Sequence, residues 1–123
     1  MSKPNPIVHI ELSAEDRRQS ADFYAQIFGW QISHMDEMNY TTFSTDQGDM
    51  GGGFNPVSES APAGTVLVYI GSADIEADLA KIEANGGQMV MPKTEIPQMG
   101  WFAWFKDPAG NTMALYTPME GNN

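Results

Sequence analysis

"HIELSAEDRRQSADFYAQIFGW", residues 9–30, joins an alternating segment to a helical one, and its reading decides the fold. Its start completes "PIVHIEL" (6–12), whose alternation predicts a strand with Val8, Ile10 and Leu12 on one face and His9 and Glu11 on the other. Ser13 and Asp16 then stand in capping-box order ahead of "AEDRRQSADFYAQIF" (14–28). That stretch reads as a helix in which the pairs Phe23 and Ile27, and Tyr24 and Phe28, each fall one turn apart and form a broad apolar face. Gly29 is placed to end it.

Working outward, "WQISHM" (30–35) and "NYTTFS" (39–44) read as short strands, with Met35 to Asn39 either a turn or a strand edge. A weaker strand follows near Met50 to Phe54, loosened by Gly51, Gly52 and Gly53. After the connector "NPVSESAPAG" (55–64) the same order returns. "TVLVYI" (65–70) is a strand and "ADIEADLAKIEAN" (73–85) a helix with Ile75, Leu79 and Ile82 on one face, stopped by Gly86 or Gly87. "QMVM" (88–91) is a short strand, "PKTEIPQMG" (92–100) a loop, and "WFAWFK" (101–106) and "NTMALYT" (111–117) two more strands.

Displacement by 58 residues lays Asp16 on Asp74, Gly29 on Gly87, Ala21 on Leu79 and Tyr24 on Ile82. Identities are few, so this is a repeat of structure rather than of sequence. The expected class is α+β: one domain over 1–123 made of two βαβββ modules, 5–57 and 63–118, forming a curved mixed sheet around a cleft. The matching parity places Leu67 and Tyr69 in that cleft, and Val66, Val68 and Ile70 against the helix.

At this point the chain resembles the glyoxalase, bleomycin-resistance and extradiol-dioxygenase superfamily, the vicinal oxygen chelate proteins. The resemblance rests on "HIELSAEDRRQSADFYAQIFGW", "ADIEADLAKIEANGG" and "WFAWFKDPAGNTMALY", and the chain looks particularly like small proteins related to lactoylglutathione lyase. It implies that Phe102 and Trp104, with Thr112, Ala114 and Tyr116, face the cleft. Metal-dependent members take ligands from the first and last strands of both modules. His9 matches one such position, but the others fall on Leu67, near Gly52 and on Ala114, which carry no ligating atom. A rescue would need Glu11 beside His9 plus Asp49, His34 or a partner chain, because a catalytic metal takes about three protein ligands. The expectation is no metal and no cofactor.

The chain has no cysteine, which removes disulfides, thiolate nucleophiles and Cys-based zinc sites. Six Lys and Arg against 16 Asp and Glu give a formal charge of -10, which repels a phosphate backbone and argues against nucleic-acid binding. Its apolar runs are too short to span a bilayer, and "MSKPNP" lacks the pattern of a secretory signal, so a cytoplasmic location is expected. "DMGGGF" (49–54) lacks the Lys and Ser or Thr of a P-loop and reads as a close approach of backbone. The segment "MPKTEIPQMGW" (91–101) reads as a surface hairpin connection in preference to a pocket lid.

Three functions follow. The first is a metal-independent binding protein for a small amphipathic or aromatic molecule, with lyase or isomerase chemistry at His9 and Glu11 and ligand contacts at Leu67, Tyr69, Phe102, Trp104, Thr112, Ala114 and Tyr116. The second is a metal-dependent glyoxalase, isomerase or dioxygenase. The third is a non-catalytic dimer serving a structural or interaction role. A homodimer is expected in the first reading as well, as the resemblance implies.

Overall fold

The computed structural model describes residues 4–45 and 50–119. Its elements are β1 (Ile7–Ser13), α1 (Arg17–Phe28), β2 (Gln31–Met35), β3 (Tyr40–Ser44), β4 (Gly51–Asn55), β5 (Val66–Gly71), α2 (Ile75–Ala84), β6 (Gln88–Ile96), β7 (Gly100–Lys106) and β8 (Thr112–Pro118). The twofold strand, helix, three-strand order is therefore present, and the class is α+β. The chain separates into two compact units, one running from His9 to Leu67, the other combining the residues up to Val8 with those from Val68 onward.

In the His9–Leu67 unit the strand order is β2-β3-β4-β1, with β1 parallel to β4 and the other pairs antiparallel. One face of this sheet packs on α1 through Ala14, Ala21, Phe43 and Phe54, with Leu12, Tyr24, Trp30 and Ile32 against them. Aromatic rings dominate that layer. Tyr24 stacks on Trp30 at 4.8 Å between centroids, and Trp30 on Phe43 at 4.5 Å, within the range in which ring pairs add to simple area burial.

The helix starts later than its sequence pattern predicts. Asp16 is the N-cap, its side chain accepting from the Gln19 backbone N–H, so Ala14 and Glu15 lie ahead of the helix and Ser13 belongs to β1. Gly29 ends it in the left-handed conformation that glycine tolerates. The expected apolar face is also only partly used. Phe23, Ile27 and Phe28 are exposed, and burial falls instead on the stripe of Ala21 and Tyr24, because Ala21 lets the helix approach the sheet closely.

In the other unit the order is β5-β8-β7-β6, with β5 parallel to β8. Ile75, Leu79, Ala103, Phe105 and Leu115 form its core, joined by Ile70, Ile82, Trp101 and Met113. Asp74 caps α2 as Asp16 caps α1, receiving the Ala77 N–H. The stop differs from the Gly29 pattern: Asn85 is the C-cap and Gly86 carries the positive φ, while Gly87 lies tight against the Lys106 carbonyl oxygen. Val66 is exposed rather than helix-packed, since β5 begins there.

The clearest departure is at residues 92–100, read above as a loop. β6 runs on through Pro92 to Ile96, pairing Thr94 with Phe102 and Glu95 with Trp101. Pro92 is tolerated because β6 is the last strand of its sheet and shifts register between Met91 and Thr94, so the missing N–H interrupts little. The hairpin turn itself is short, with Gln98 at φ 69°.

Candidate functional site

Alternation along β1 puts Leu12 into the α1-facing core and Glu11 on the opposite face. The register gives that face its composition. His9 lies beside Gly51, Glu11 beside Gly53 and Ser13 beside Asn55, so the β4 residues directly beside the two titratable groups are both glycines. On β3, Phe43 and Thr41 point toward α1, which leaves Tyr40 on the same face as Glu11.

Tyr40 crosses the glycine strand and closes a polar network. Its hydroxyl donates to Glu11 Oε2 at 2.8 Å and lies 2.7 Å from His9 Nε2. Asn55 Nδ2 donates to Glu11 Oε1. Glu11 is 8% exposed, and a carboxylate so buried persists only where donors replace water. His9 Nε2 and Glu11 Oε2 stand 3.5 Å apart, so the hydroxyl is the closer link between them.

The crossing depends on glycine. A Cβ on Gly53 would sit 2.0 Å from the Tyr40 hydroxyl oxygen, whereas one on Gly52 would meet the Ile10 carbonyl and the Phe43 ring on the other face. The close-approach reading of "DMGGGF" thus applies to both faces of β4. The family's last-strand position in this module, read as near Gly52, is occupied on the Glu11 face by Gly51 and Gly53.

His34 belongs to a different cluster. Its Nδ1 lies 2.9 Å from Thr41 Oγ1, which also accepts from Arg17 of α1, while Arg17 and Arg18 both pair with Asp36. This cluster lies on the α1 face, so His34 cannot join His9 and Glu11 around one ion. Asp49, the other rescue ligand, lies outside the described residues. Among the described residues no group of three or more His, Asp or Glu side chains could hold a metal ion. Among the described residues, His9 and Glu11 on this face fall short of the roughly three ligands that a catalytic metal takes.

In the second unit, Tyr69, Ala114 and Trp104 lie in one row across β5, β8 and β7. Ala114 is fully buried and, lacking bulk, lets Trp104 Nε1 donate to the Tyr69 hydroxyl at 3.5 Å. Tyr69 and Trp104 are buried at 6% and 7% exposure. The next row pairs Phe102 with Tyr116, whose hydroxyl donates to the Met99 carbonyl and whose pKa burial pushes up. Thr112 sits at the hairpin end opposite Lys106. Leu67, in the first unit, is 1% exposed. Trp101 and Phe105 point instead into the α2 core, and Lys93 lies over the Trp101 ring.

A cavity of about 710 Å³ opens in the same unit beside the start of α2, bordered by Pro4, Pro6, Ser72, Asp78, Lys81 and Tyr116. Within it Ser72 donates to Asp78, and Asp78 pairs loosely with Lys81 at 3.9 Å.

Sequence reasoning singled out His9, Glu11, Tyr69 and Trp104 but missed Tyr40 and Asn55. The available signal was parity: with Phe43 in the core, Tyr40 three positions earlier must face away from it. A run of glycines beside a strand carrying His and Glu then marks where another side chain can cross.

A model of the family described as Glyoxalase/Bleomycin resistance protein/Dioxygenase superfamily matches residues 6–115. The anthracycline biosynthesis protein DnrV of Streptomyces peucetius is 28% identical over 96% of this chain, which spans 50% of that protein's length. A glyoxylase-like domain-containing protein of Didymella fabae is 30% identical, with 88% of this chain and 90% of the relative covered. Among solved structures, methylmalonyl-CoA epimerase from Mycobacterium tuberculosis superposes with a TM-score of 0.71 at 13% identity, covering 92% of this chain and 87% of that one, a likeness of fold alone. Among the described residues no helix is long and apolar enough to cross a membrane.

Proposed function

The chain belongs to the Glyoxalase/Bleomycin resistance protein/Dioxygenase superfamily, and on that premise we propose that it binds a small amphipathic or aromatic molecule and carries out metal-independent acid–base chemistry of lyase or isomerase type. One observation supports this above the rest: a buried Glu11 held by Tyr40 and Asn55, with His9 on the same hydroxyl. Burying a carboxylate is costly, and an apolar set of residues in place of the whole network would often be as stable in a merely structural sheet. A carboxylate with fixed orientation and restricted water is suited to taking or returning a proton at carbon or oxygen.

In this reading Glu11 is the proton-transfer group and His9 its partner. In the second unit Tyr69, Trp104 and Ala114 are buried, so the contacts that unit offers a ligand are the part-exposed Phe102, Thr112 and Tyr116, while Leu67 is a buried residue of the first. A fold shared by many chemistries does not supply the substrate. The proposal includes a homodimer, which light scattering measures, and a cytoplasmic location.

The test is a thermal-shift screen against aromatic, glutathione-linked and coenzyme A-linked metabolites, followed by turnover assays on the compounds that bind. A ligand at 100 times its Kd stabilises by about 2.7 kcal/mol, a readily measured shift. Stabilisation by a compound that Glu11→Gln binds but no longer converts supports the proposal. Absence of stabilisation across the panel contradicts it.

A further inference from the structure

We infer that the Tyr40 hydroxyl relays a proton between His9 and Glu11 and that Gly53 is the residue that admits it. The inference rests on the reading of His9 and Glu11 as an acid–base pair and names the group that couples them.

The geometry requires a third group. Residues two apart on a strand have their Cα atoms about 7 Å apart, so His9 and Glu11 share a face without being natural hydrogen-bond partners. Their closest polar atoms are 3.5 Å apart, and the Tyr40 oxygen lies 2.7 Å from one and 2.8 Å from the other. Donor and acceptor chemistry then sets a direction. An ionised carboxylate only accepts, so Tyr40 gives its hydrogen to Glu11 and receives one from His9 Nε2–H.

With His9 protonated and Glu11 ionised, this chain moves one proton without other change. The His9 Nε2–H bond breaks as a new Tyr40 O–H bond forms, while the original Tyr40 O–H bond breaks as Glu11 Oε2–H forms. The products are neutral imidazole, neutral phenol and neutral carboxylic acid. No oxidant or further reactant is needed. Tyr40 is thus a positioning and relaying residue that acts through its neighbours.

Its access is built into the strand order. Tyr40 comes from β3, and β4 lies between β3 and β1. The β4 residue beside Glu11 is Gly53, where any Cβ would stand 2.0 Å from the Tyr40 oxygen. A tyrosine serving only as packing would not need its oxygen seated between an imidazole and a carboxylate across the glycines Gly51 and Gly53.

Replacing Tyr40 by mono-, di- and tetrafluorinated tyrosines keeps the ring while making the phenol progressively more acidic. Nuclear magnetic resonance of the His9 ring nitrogens at one fixed pH, in the unliganded protein, reads the coupling directly. The expected result is a monotonic change in the Nε2 shift along the series, abolished in Tyr40→Phe and in Gly53→Ala. Unchanged His9 shifts across the series would overturn the relay, as would a wild-type His9 signature in folded Gly53→Ala. If Gly53→Ala does not fold, the fluorinated series decides alone. Because no substrate is involved, failure here with Glu11-dependent turnover intact removes the relay only, whereas failure to find any ligand leaves this result standing.

Discussion

Tyr40 lies directly over Gly53, its hydroxyl oxygen 2.0 Å from where a Cβ on that glycine would be. The adjacent glycine is tight for a different reason: a Cβ on Gly52 would fall 2.0 Å from the Ile10 carbonyl oxygen and 2.3 Å from the Phe43 ring. A tyrosine side chain can swing away, but a strand carbonyl cannot without breaking its ladder. Gly53→Ala should therefore cost about 1 kcal/mol and displace Tyr40, while Gly52→Ala should cost about 3 kcal/mol or prevent folding. Urea unfolding of the two variants measures the difference, and equal costs would contradict this placement of the two faces.

Asn55 donates to the buried Glu11 carboxylate. Asn55→Ala removes that donor, and a buried carboxylate short of a bond should cost about 1–3 kcal/mol of stability. Glu11→Gln keeps the shape and removes the charge. For any substrate found, it should lower turnover by about 100-fold or more while leaving binding in place, the signature of a lost proton-transfer group. Unfolding curves and steady-state kinetics check the two halves separately.

Ala114 faces Tyr69 on one side and Trp104 on the other, with no exposed surface. Extra bulk there has nowhere to go. Ala114→Leu should cost about 1–3 kcal/mol and part the Trp104 indole from the Tyr69 hydroxyl. The expected readout is a lower unfolding midpoint with a changed tryptophan emission; a variant as stable as wild type would show that the row is loosely packed.

The turn that precedes β8 carries a pH dependence of definite sign. Asp107 is held below the ordinary Asp value by the Asn111 side chain and backbone N–H, with the Ala109 N–H also bound. A depressed folded value means that the stabilisation is complete above the unfolded pKa and is lost as pH falls through the folded one. Its effect is therefore confined to acid solution. Carboxyl resonances should show Asp107 titrating below the usual range, and Asn111→Ala should move it upward. An unchanged titration in that variant would contradict the assignment.

Much of this architecture was legible in the sequence because two short-range signals agree. Asp16 and Asp74 each precede an apolar helical pattern, and both turn out to cap their helices; strand parity then places Glu11, Tyr69 and Trp104 on the faces opposite the helix-packed layers. What parity along one strand does not reveal is the neighbour across the sheet. Tyr40 meets Glu11 only because β4 runs parallel to β1 in a register that sets glycines beside it, a long-range pairing with no local signature. Phe23 and Ile27 lie outside the buried stripe for a related reason: helical spacing shows that a face exists, but the bulk of opposing side chains chooses which stripe is buried. The strand continues past Met91, where the sequence reads as a loop, because an edge strand with a register shift accommodates Pro92.

The central proposal is that ligand chemistry occurs at the Glu11 network of the His9–Leu67 unit. The most direct measurement is to titrate a stabilising compound into isotopically labelled protein and map the resonances that move. The account predicts changes at His9, Tyr40 and Asn55. Movement confined to the residues around Ser72 and Asp78, beside the start of α2, would contradict it.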